Sequence, residues 1–276
     1  MPDDRAIGVF DSGIGGLTVL AALARQLPEE PLIYLGDTAR VPYGTRSPRT
    51  VLRYACQVAD ALVARDVKAL VVACNTATTH ALDALQQTGR ELGIPVFGVI
   101  APGVHEALAR TRTGRVAVLG TDGTVRGGRY QALLAQAGAQ PTAVACPLFV
   151  SLAEEGWHDT DVAELVAQRY LGDLSGGPDT VILGCTHYPL LRPAIARALP
   201  GVTLVDSATA TARVVSQALA AQGLLATGPA TATRFLVTDN LARFHRVGTR
   251  FLGAVPEPVE LIDLVLGDGP FSERAA

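Results

Sequence analysis

Nine short apolar runs, each closed by a glycine or a polar turn, limit what this chain can fold into. They are "AIGVFDSG", "PLIYLGDT", "ALVVACNT", "PVFGVIAPG", "RVAVLGTDG", "TAVACPLFV", "DTVILGCTH", "VTLVDSAT" and "TRFLVTDN". Apolar residues in succession, without the alternation of a half-exposed strand, suit strands covered on both faces. Helical patterns follow them, as at 16–27, 47–65 and 207–222. Strand, turn and helix in this alternation imply an α/β fold with parallel sheets and right-handed crossovers.

The runs also repeat. Ile7 in the first corresponds to Val116 in the fifth, and Cys74 to Cys185 at nearly the same offset. Between them "IYLGDT" answers to "ACPLFV", and "PVFGVIAPG" to "VTLVDSAT". The expected architecture is two similar domains related by pseudo-two-fold symmetry, with parallel-type sheets flanked by helices. Polar turns at the carboxyl ends of the strands would line the cleft between them, where open parallel sheets bind ligands. Segment 208–276 lies outside the repeat and is expected to pack back on the first half. The division therefore reads 1–98 plus 208–276 as a first, discontinuous domain and 99–207 as the second.

Composition narrows the function. Hydrophobic residues are 49% of the 276, enough for a substantial core, which argues against disorder. A net charge of −3 shows no basic excess for nucleic acid or an anionic membrane. No apolar run is long enough to span a bilayer. The start, "MPDDRAIGVF", lacks the basic region and apolar segment of a signal peptide. A soluble, cytoplasmic protein is expected.

The four cysteines include no close CxxC pair and are too few for a disulfide scaffold. Cys56, in "RYACQVADAL", reads as packing on a helix face, and Cys146, in "AVACPLFV", as core. Cys74 and Cys185 differ, because each ends an apolar strand and precedes small polar residues and a helix-like stretch. A thiol at a helix N-terminus meets the positive end of the dipole and free N–H groups, which predicts a lowered pKa and a reactive thiolate exposed in the cleft. Taken singly, each reads equally well as a buried strand cysteine. Their recurrence at matching positions points to a paired function. A metal site of the two cysteines with His187 is the weaker alternative, since the spacing lacks zinc-finger regularity.

The remaining turns supply acids and small polar groups. "FDSGIGGLTVL" places Asp11 and Ser12 before Gly13, Gly15 and Gly16. It fails as a phosphate loop, because Thr18 stands where GxGxxG needs its last glycine and a carboxylate would repel phosphate. Asp11 suits an ammonium group or a hydrogen-bonding partner, or else a helix N-cap. "GDTARVPYG" offers Asp37, Tyr43 and Gly44, with Asp37 equally readable as a turn residue. "SLAEEGW" offers Glu154 and Glu155; such a pair usually sits solvated on a helix, but Glu154 holds the corresponding place in the second half. His187, two residues after Cys185, is placed to set protonation states there. His80, His105, His158 and His245 have no comparable setting.

Together "VFDSGIGGLTVL", "YLGDTARVPYG", "ACNTAT" and "LGCTHYPLL" resemble the glutamate racemase family, the cofactor-independent amino-acid racemases of bacterial cell-wall synthesis. The resemblance runs in order from the first strand to about Ser207. It implies that Cys74 and Cys185 are the two catalytic acid/base residues, assisted by Asp11, Asp37, Glu154 and His187. It implies substrate contacts from Asp11, Ser12, Tyr43, Gly44, Asn75, Thr76, Thr186 and His187. Ser151 and Ala153 depart from the family's usual Pro and Val beside Glu154. The implied activity is interconversion of L- and D-glutamate, supplying D-glutamate for peptidoglycan, with no cofactor and no metal. The expected partners are the small-molecule substrate and, in a homodimer, a second copy of the chain; nucleic acid and membrane are not expected.

The chemistry fits the residue types. An α-proton between an ammonium and a carboxylate is very weakly acidic, and inversion needs a base on one face and an acid on the other. Thiols approach the ambient pKa that general acid–base groups need. A pyridoxal-phosphate racemase would need a lysine for its Schiff base. The single lysine, Lys68, starts its strand at the end away from Cys74. Aspartate racemase and related two-cysteine isomerases share the chemistry, though Thr-His after the second cysteine favours glutamate. A non-catalytic two-domain amino-acid-binding protein would share the cleft but would not need two opposed thiols.

Overall fold

The computed structural model describes residues 2–174, 177–228, 231–264 and 269–275. In chain order its strands are β1 (Ile7–Asp11), β2 (Leu32–Gly36), β3 (Ala69–Val72), β4 (Val96–Gly98), β5 (Arg115–Gly120), β6 (Gln140–Ala145), β7 (Thr180–Gly184), β8 (Thr203–Asp206), β9 (Arg234–Val237) and β10 (Val259–Leu261). The helices are α1 (Leu17–Gln26), α2 (Pro48–Val63), α3 (Asn75–Leu92), α4 (Ile100–Arg110), α5 (Asp122–Gly127), α6 (Arg129–Gln136), α7 (Leu148–Glu155), α8 (Asp161–Leu171), α9 (Arg192–Ala198), α10 (Ser207–Gln222), α11 (Leu241–Leu252) and α12 (Pro270–Ala275).

Two sheets result, of order β10-β9-β2-β1-β3-β4 and β6-β5-β7-β8. Every pairing among these strands is parallel. The β2-β1-β3-β4 core of the first has the same strand order as the whole of the second, as the sequence repeat requires. β9 and β10 extend the first sheet beyond β2.

The apolar runs lack alternation because both faces of each sheet are covered. β1, β2, β3 and β7 are buried at every residue. On one face of the first sheet Val9, Tyr34 and Val71 pack with Leu17, Leu20, Val215 and Phe244. On the other, Phe10, Leu35 and Val72 pack with Val51, Val58 and Leu85 from α2 and α3. The second sheet repeats this, with Leu119 and Leu183 against Phe149 and Ile195, and Val118 and Ile182 against Ile100 and Leu134.

Local signals set the helix starts. Ser47 accepts the Thr50 N–H at 3.3 Å ahead of Pro48, which lacks an N–H and suits the first helical position. Two elements depart from the sequence reading. The run "TAVACPLFV" divides: β6 stops at Ala145, and a helix starts at Leu148, after Pro147. Proline cannot donate to a sheet ladder, so the apolar residues on either side belong to different elements. β10 gave no sequence signal, being three residues on a sheet edge, one half-buried and two exposed.

Lys68 lies at the entry to β3, opposite the Cys74 end. It is fully buried, with Nζ 2.5 Å from Glu30 Oε2 and 2.8 Å from the Leu224 carbonyl, and it also bonds the Asp3 carbonyl. Glu30 Oε1 accepts the Ala226 N–H at 2.8 Å. This buried pair ties the segment after α10 to the base of the first sheet. Removing one partner of a buried pair leaves an uncompensated charge, at a cost of about 3–5 kcal/mol. Lys68→Ala should lower stability by about that amount, read from the urea midpoint, whereas Lys68→Met with Glu30→Gln should lose much less. Equal losses in the two variants would show that the uncompensated charge is not the cause.

Candidate active site

β1 and β3 are neighbours in the first sheet, so their carboxyl ends present Asp11 and Cys74 side by side. Cys74 is the N-cap of α3. Its Sγ accepts the Ala77 N–H at 3.4 Å and lies 3.5 Å from Ser12 Oγ. The thiol is 5% exposed. Burial and then the Asp11 carboxylate push it up to about 12, and the hydrogen bonds from Ser12 and Ala77 offset only part of this. The expectation of a lowered pKa does not hold for Cys74, and the expected exposure holds for neither thiol, since Cys185 is buried as well. A helix N-terminus is worth about 0.3–1 kcal/mol, whereas burial of an ionisable group shifts it by up to about 3–5 units.

Cys185 follows β7 but does not cap an α-helix. A tight 3-10 turn, Tyr188–Leu191, containing Pro189, comes before α9. In place of a helix terminus the thiol has an imidazole. Cys185 Sγ is 3.8 Å from His187 Nδ1, and His187 Nε2 is 2.9 Å from Glu154 Oε1. Arg243 Nη2 donates to Glu154 Oε2 at 2.5 Å. Burial alone would raise Glu154, but His187 and Arg243 bring it down to about 2. Burial would lower His187, yet Cys185 and Glu154 hold it at about 10. The imidazole is therefore a cation near neutral pH, donating through Nε2 to Glu154 and turning Nδ1 to Cys185. Glu154 is buried and engaged while Glu155 is exposed, which separates the two acids that the sequence left together.

Asp11 is buried, and burial raises its pKa against the opposing charge of His187. Its Oδ2 accepts the Gly13 N–H at 3.0 Å, while Oδ1 is buried without a partner among the described residues. Gly16, not Asp11, takes the N-cap position of α1. Asp37 has no free oxygen to offer a thiol. Arg40 Nε donates to Oδ2 at 2.7 Å, the Tyr43 hydroxyl bonds the same oxygen, and Thr238 Oγ1 donates to Oδ1 at 3.1 Å. Its contact with the site runs through Tyr43.

The other candidate residues lie along the seam between the sheets. Asn75 Oδ1 accepts from the Tyr130 hydroxyl at 2.7 Å, and its Nδ2 is buried without a partner among the described residues. Thr76 Oγ1 lies 2.9 Å from Thr121 Oγ1 and 3.2 Å from Thr124 Oγ1. Thr186 Oγ1 is 3.5 Å from His187 Nδ1, and its carbonyl faces Thr18 Oγ1 at 3.4 Å. A Cβ on Gly15 would collide with Thr186 Oγ1 and His187, and one on Gly44 would stand 2.8 Å from Thr121 Cβ. Ser12 is half-buried beside Cys74.

Four residues here were not anticipated: Thr121, Thr124, Tyr130 and Arg243. Thr121 was within reach, since it ends the fifth run where Ser12 ends the first. Among the described residues, no group of three or more His, Cys, Asp or Glu side chains could hold a metal ion, so Cys74, Cys185 and His187 do not form a ligand set. Among the same residues, no helix is long and apolar enough to cross a membrane.

Known proteins share both sequence and fold. The profile of the Asp/Glu/Hydantoin racemase family matches residues 7–215. A glutamate racemase from Geobacter metallireducens is 54% identical over 90% of this chain and 93% of its own length. The structure of a glutamate racemase from Bacillus anthracis superposes with a TM-score of 0.89 at 39% identity, covering 94% of this chain and 98% of that one. A Francisella tularensis glutamate racemase, solved in complex with D-glutamate, gives 0.88 at 37% identity over 95% of this chain and 98% of its own. With the family's profile spanning β1 to β8 and both cysteine turns, this chain belongs to the Asp/Glu/Hydantoin racemase family.

Proposed function

We propose that the protein is a cofactor-independent glutamate racemase, interconverting L- and D-glutamate by two-base transfer of the α-proton. The observation that carries the reading is the pairing of Cys74 and Cys185. Each follows the corresponding strand of a repeated half, and they are near enough for the charge of one to bear on the other. The reaction cleft then lies between a lobe of residues 1–98 with 208–276 and a lobe of 99–207. Glutamate as substrate is supported by relatives of that activity at 44–54% identity over most of the chain.

The two thiols sit in unlike surroundings: Cys185 faces His187 Nδ1, while Cys74 lies buried beside Asp11, and burial and then Asp11 raise its pKa. In one direction Cys185 acts as the base. One enantiomer binds with its α-hydrogen toward Cys185, which removes it as the C–H pair passes onto the α-carbon and carboxylate. Cys74 delivers its proton to the opposite face. The enzyme is left with the thiolate at Cys74 and the thiol at Cys185, the form that acts on the other enantiomer. The unpaired Asp11 Oδ1 is an acceptor suited to the substrate ammonium. The unpaired Asn75 Nδ2, with the Thr76 and Thr186 hydroxyls, supplies donors for carboxylate oxygens and for charge developing on them. Asp37 acts as a positioning residue, holding Tyr43 against the cleft.

Purified protein without added cofactor should racemise glutamate from either enantiomer and act poorly on aspartate, as followed by circular dichroism. Faster turnover of aspartate under matched conditions would overturn the substrate assignment. Cys74→Ala and Cys185→Ala should each reduce kcat/KM by at least about 100-fold, the lower end of what a general acid or base contributes. Iodoacetamide at neutral pH should modify Cys185 before Cys74, with protection by glutamate, as peptide mass spectrometry would show. Near-native racemisation by both alanine variants would refute the two-thiol mechanism.

A two-base reaction also leaves an isotopic signature. In deuterated solvent, early D-glutamate formed from L-glutamate should carry α-deuterium, because the delivering thiol has exchanged with solvent. Recovered L-glutamate should carry almost none, and the pattern should hold with the enantiomers exchanged. The readout is α-deuterium in both enantiomers at low conversion, after chiral separation. Heavy label in recovered substrate from both directions, or protium-rich early product, would point to a single base working on both faces.

A further inference from the structure

The chain beyond the repeat does more than complete the first sheet. β9 leads into α11, whose Phe244 and Val247 pack in the core with Leu17, Leu20 and Phe235. The start of α11 is tied to the turn after β2: Thr38 Oγ1 donates to the Asp239 carbonyl at 2.6 Å and accepts the Asp239 N–H at 2.8 Å. Asn240 caps the helix, accepting the Arg243 N–H at 3.0 Å. α11 is thus fixed to the lobe that carries Cys74.

Another face of the same helix reaches the lobe that carries Cys185. Arg243, Arg250 and Phe251 are spaced i, i+7 and i+8, so they share a face. Arg243 bonds the Glu154 carboxylate, Arg250 bonds the Glu154 carbonyl, and the Phe251 ring meets His187 edge-on at 5.5 Å. Gly156, at φ 81, leaves the space that the Arg250 guanidinium fills; a Cβ there would stand 2.9 Å from it. Beside Arg243 a small cavity of about 70 Å³ lies between Gly13, Ile14 and Val41 of one lobe and Glu154 of the other.

We propose that Arg243 is a positioning residue for the reaction, holding Glu154 against His187 so that the imidazole stays poised on Cys185 while the two lobes are together. The inference rests on the racemase reading for its activity consequence, but the chain of contacts can be tested without it. Glu154 has two oxygens and two partners: Oε1 takes His187 and Oε2 takes Arg243. Without Arg243 the carboxylate is free to turn toward solvent, and His187 loses its anionic partner. Because α11 packs in the core of the first sheet, the Arg243–Glu154 contact joins the two lobes directly.

The titratable groups that face Cys185 and His187 are Cys74 from the head of α3, Asp11 from β1, Tyr130 from α6, Cys146 beyond β6, Tyr188 and Glu154. Arg243 itself faces Glu154 and Glu155. Of these groups, Glu154 alone bonds the imidazole nitrogen remote from the thiol. A change at Arg243 should therefore reach Cys185 through Glu154.

The test compares Arg243→Gln, Glu154→Gln, the double variant and Arg243→Lys in the full-length protein. The rate of Cys185 alkylation by iodoacetamide is followed against pH by peptide mass spectrometry, alongside racemisation of both enantiomers. Arg243→Gln should move the alkylation midpoint of Cys185 to higher pH and lower kcat/KM by about 10–100-fold, the usual cost of losing an outer supporting contact. Glu154→Gln should do the same, the double variant should be no worse than Glu154→Gln alone, and Arg243→Lys should recover part of the loss. A loosened fold would raise alkylation at every pH without moving the midpoint, and that result would overturn the proposal. So would a wild-type midpoint in Arg243→Gln, or full additivity in the double variant. A wild-type protein that did not racemise glutamate would instead refute the activity, while the alkylation midpoints would still decide the role of Arg243.

Discussion

The site depends on how closely two strand edges can approach each other. An amino acid offers its α-hydrogen on one face only, so the second acid/base group must come from the far side of the substrate. A single parallel sheet presents its polar turns along one edge and cannot supply both faces. Two sheets with their carboxyl ends opposed can, provided that the backbones meet with little between them. Gly15 against Thr186 and His187, and Gly44 against Thr121, show how little room is left. A Cβ at either position would come within 3 Å of those side chains, which would have to shift. The threonine cluster of Thr76, Thr121 and Thr124 closes the same seam with hydrogen bonds that small side chains can make.

That closeness has an electrostatic consequence. A seam tight enough to oppose two thiols is tight enough to exclude water, and exclusion of water makes a thiolate costly. The helix terminus behind Cys74 does not overcome this, and neighbouring Asp11 adds to it. On the other side a cation is provided. Cys185 and Glu154 raise the pKa of His187 against its burial, and His187 and then Arg243 lower that of Glu154 against its own. The two halves repeat in backbone topology but not in how they treat their cysteines.

The parts of this legible in the sequence were those written in local pattern. Unalternated apolar runs marked nine of the ten strands among the described residues, because burial, complete in β1, β2, β3 and β7, leaves a composition signal within a few residues. The repeat gave the equivalence of Cys74 and Cys185, because duplicated topology preserves order. The apolar stretch around Cys146 misled because composition alone does not mark where a strand ends and a helix begins; Pro147 does. Asp37 stood at a strand end like Asp11, and nothing local distinguished a carboxylate with all its oxygens engaged from one with an oxygen to spare. Arg243 was beyond reach, since its partner lies 89 positions away in a different sheet's helix. Neither the repeat nor any local periodicity relates those two positions.

The reaction is symmetric and the site is not. L- and D-glutamate have equal free energies in water, so kcat/KM must be the same in both directions whatever the enzyme does. An imidazolium beside one thiol and a carboxylate beside the other therefore cannot favour one product at equilibrium. What the asymmetry can set is which protonation form the free enzyme rests in, and hence how kcat and KM divide in each direction. The enantiomer that offers its hydrogen to the thiol then acting as base finds the enzyme ready, and the other must meet the form with the proton moved to the opposite thiol. His187, bonded to Glu154, stands beside Cys185, and Asp11 stands beside Cys74, so the two forms have unlike surroundings and need not be equally populated.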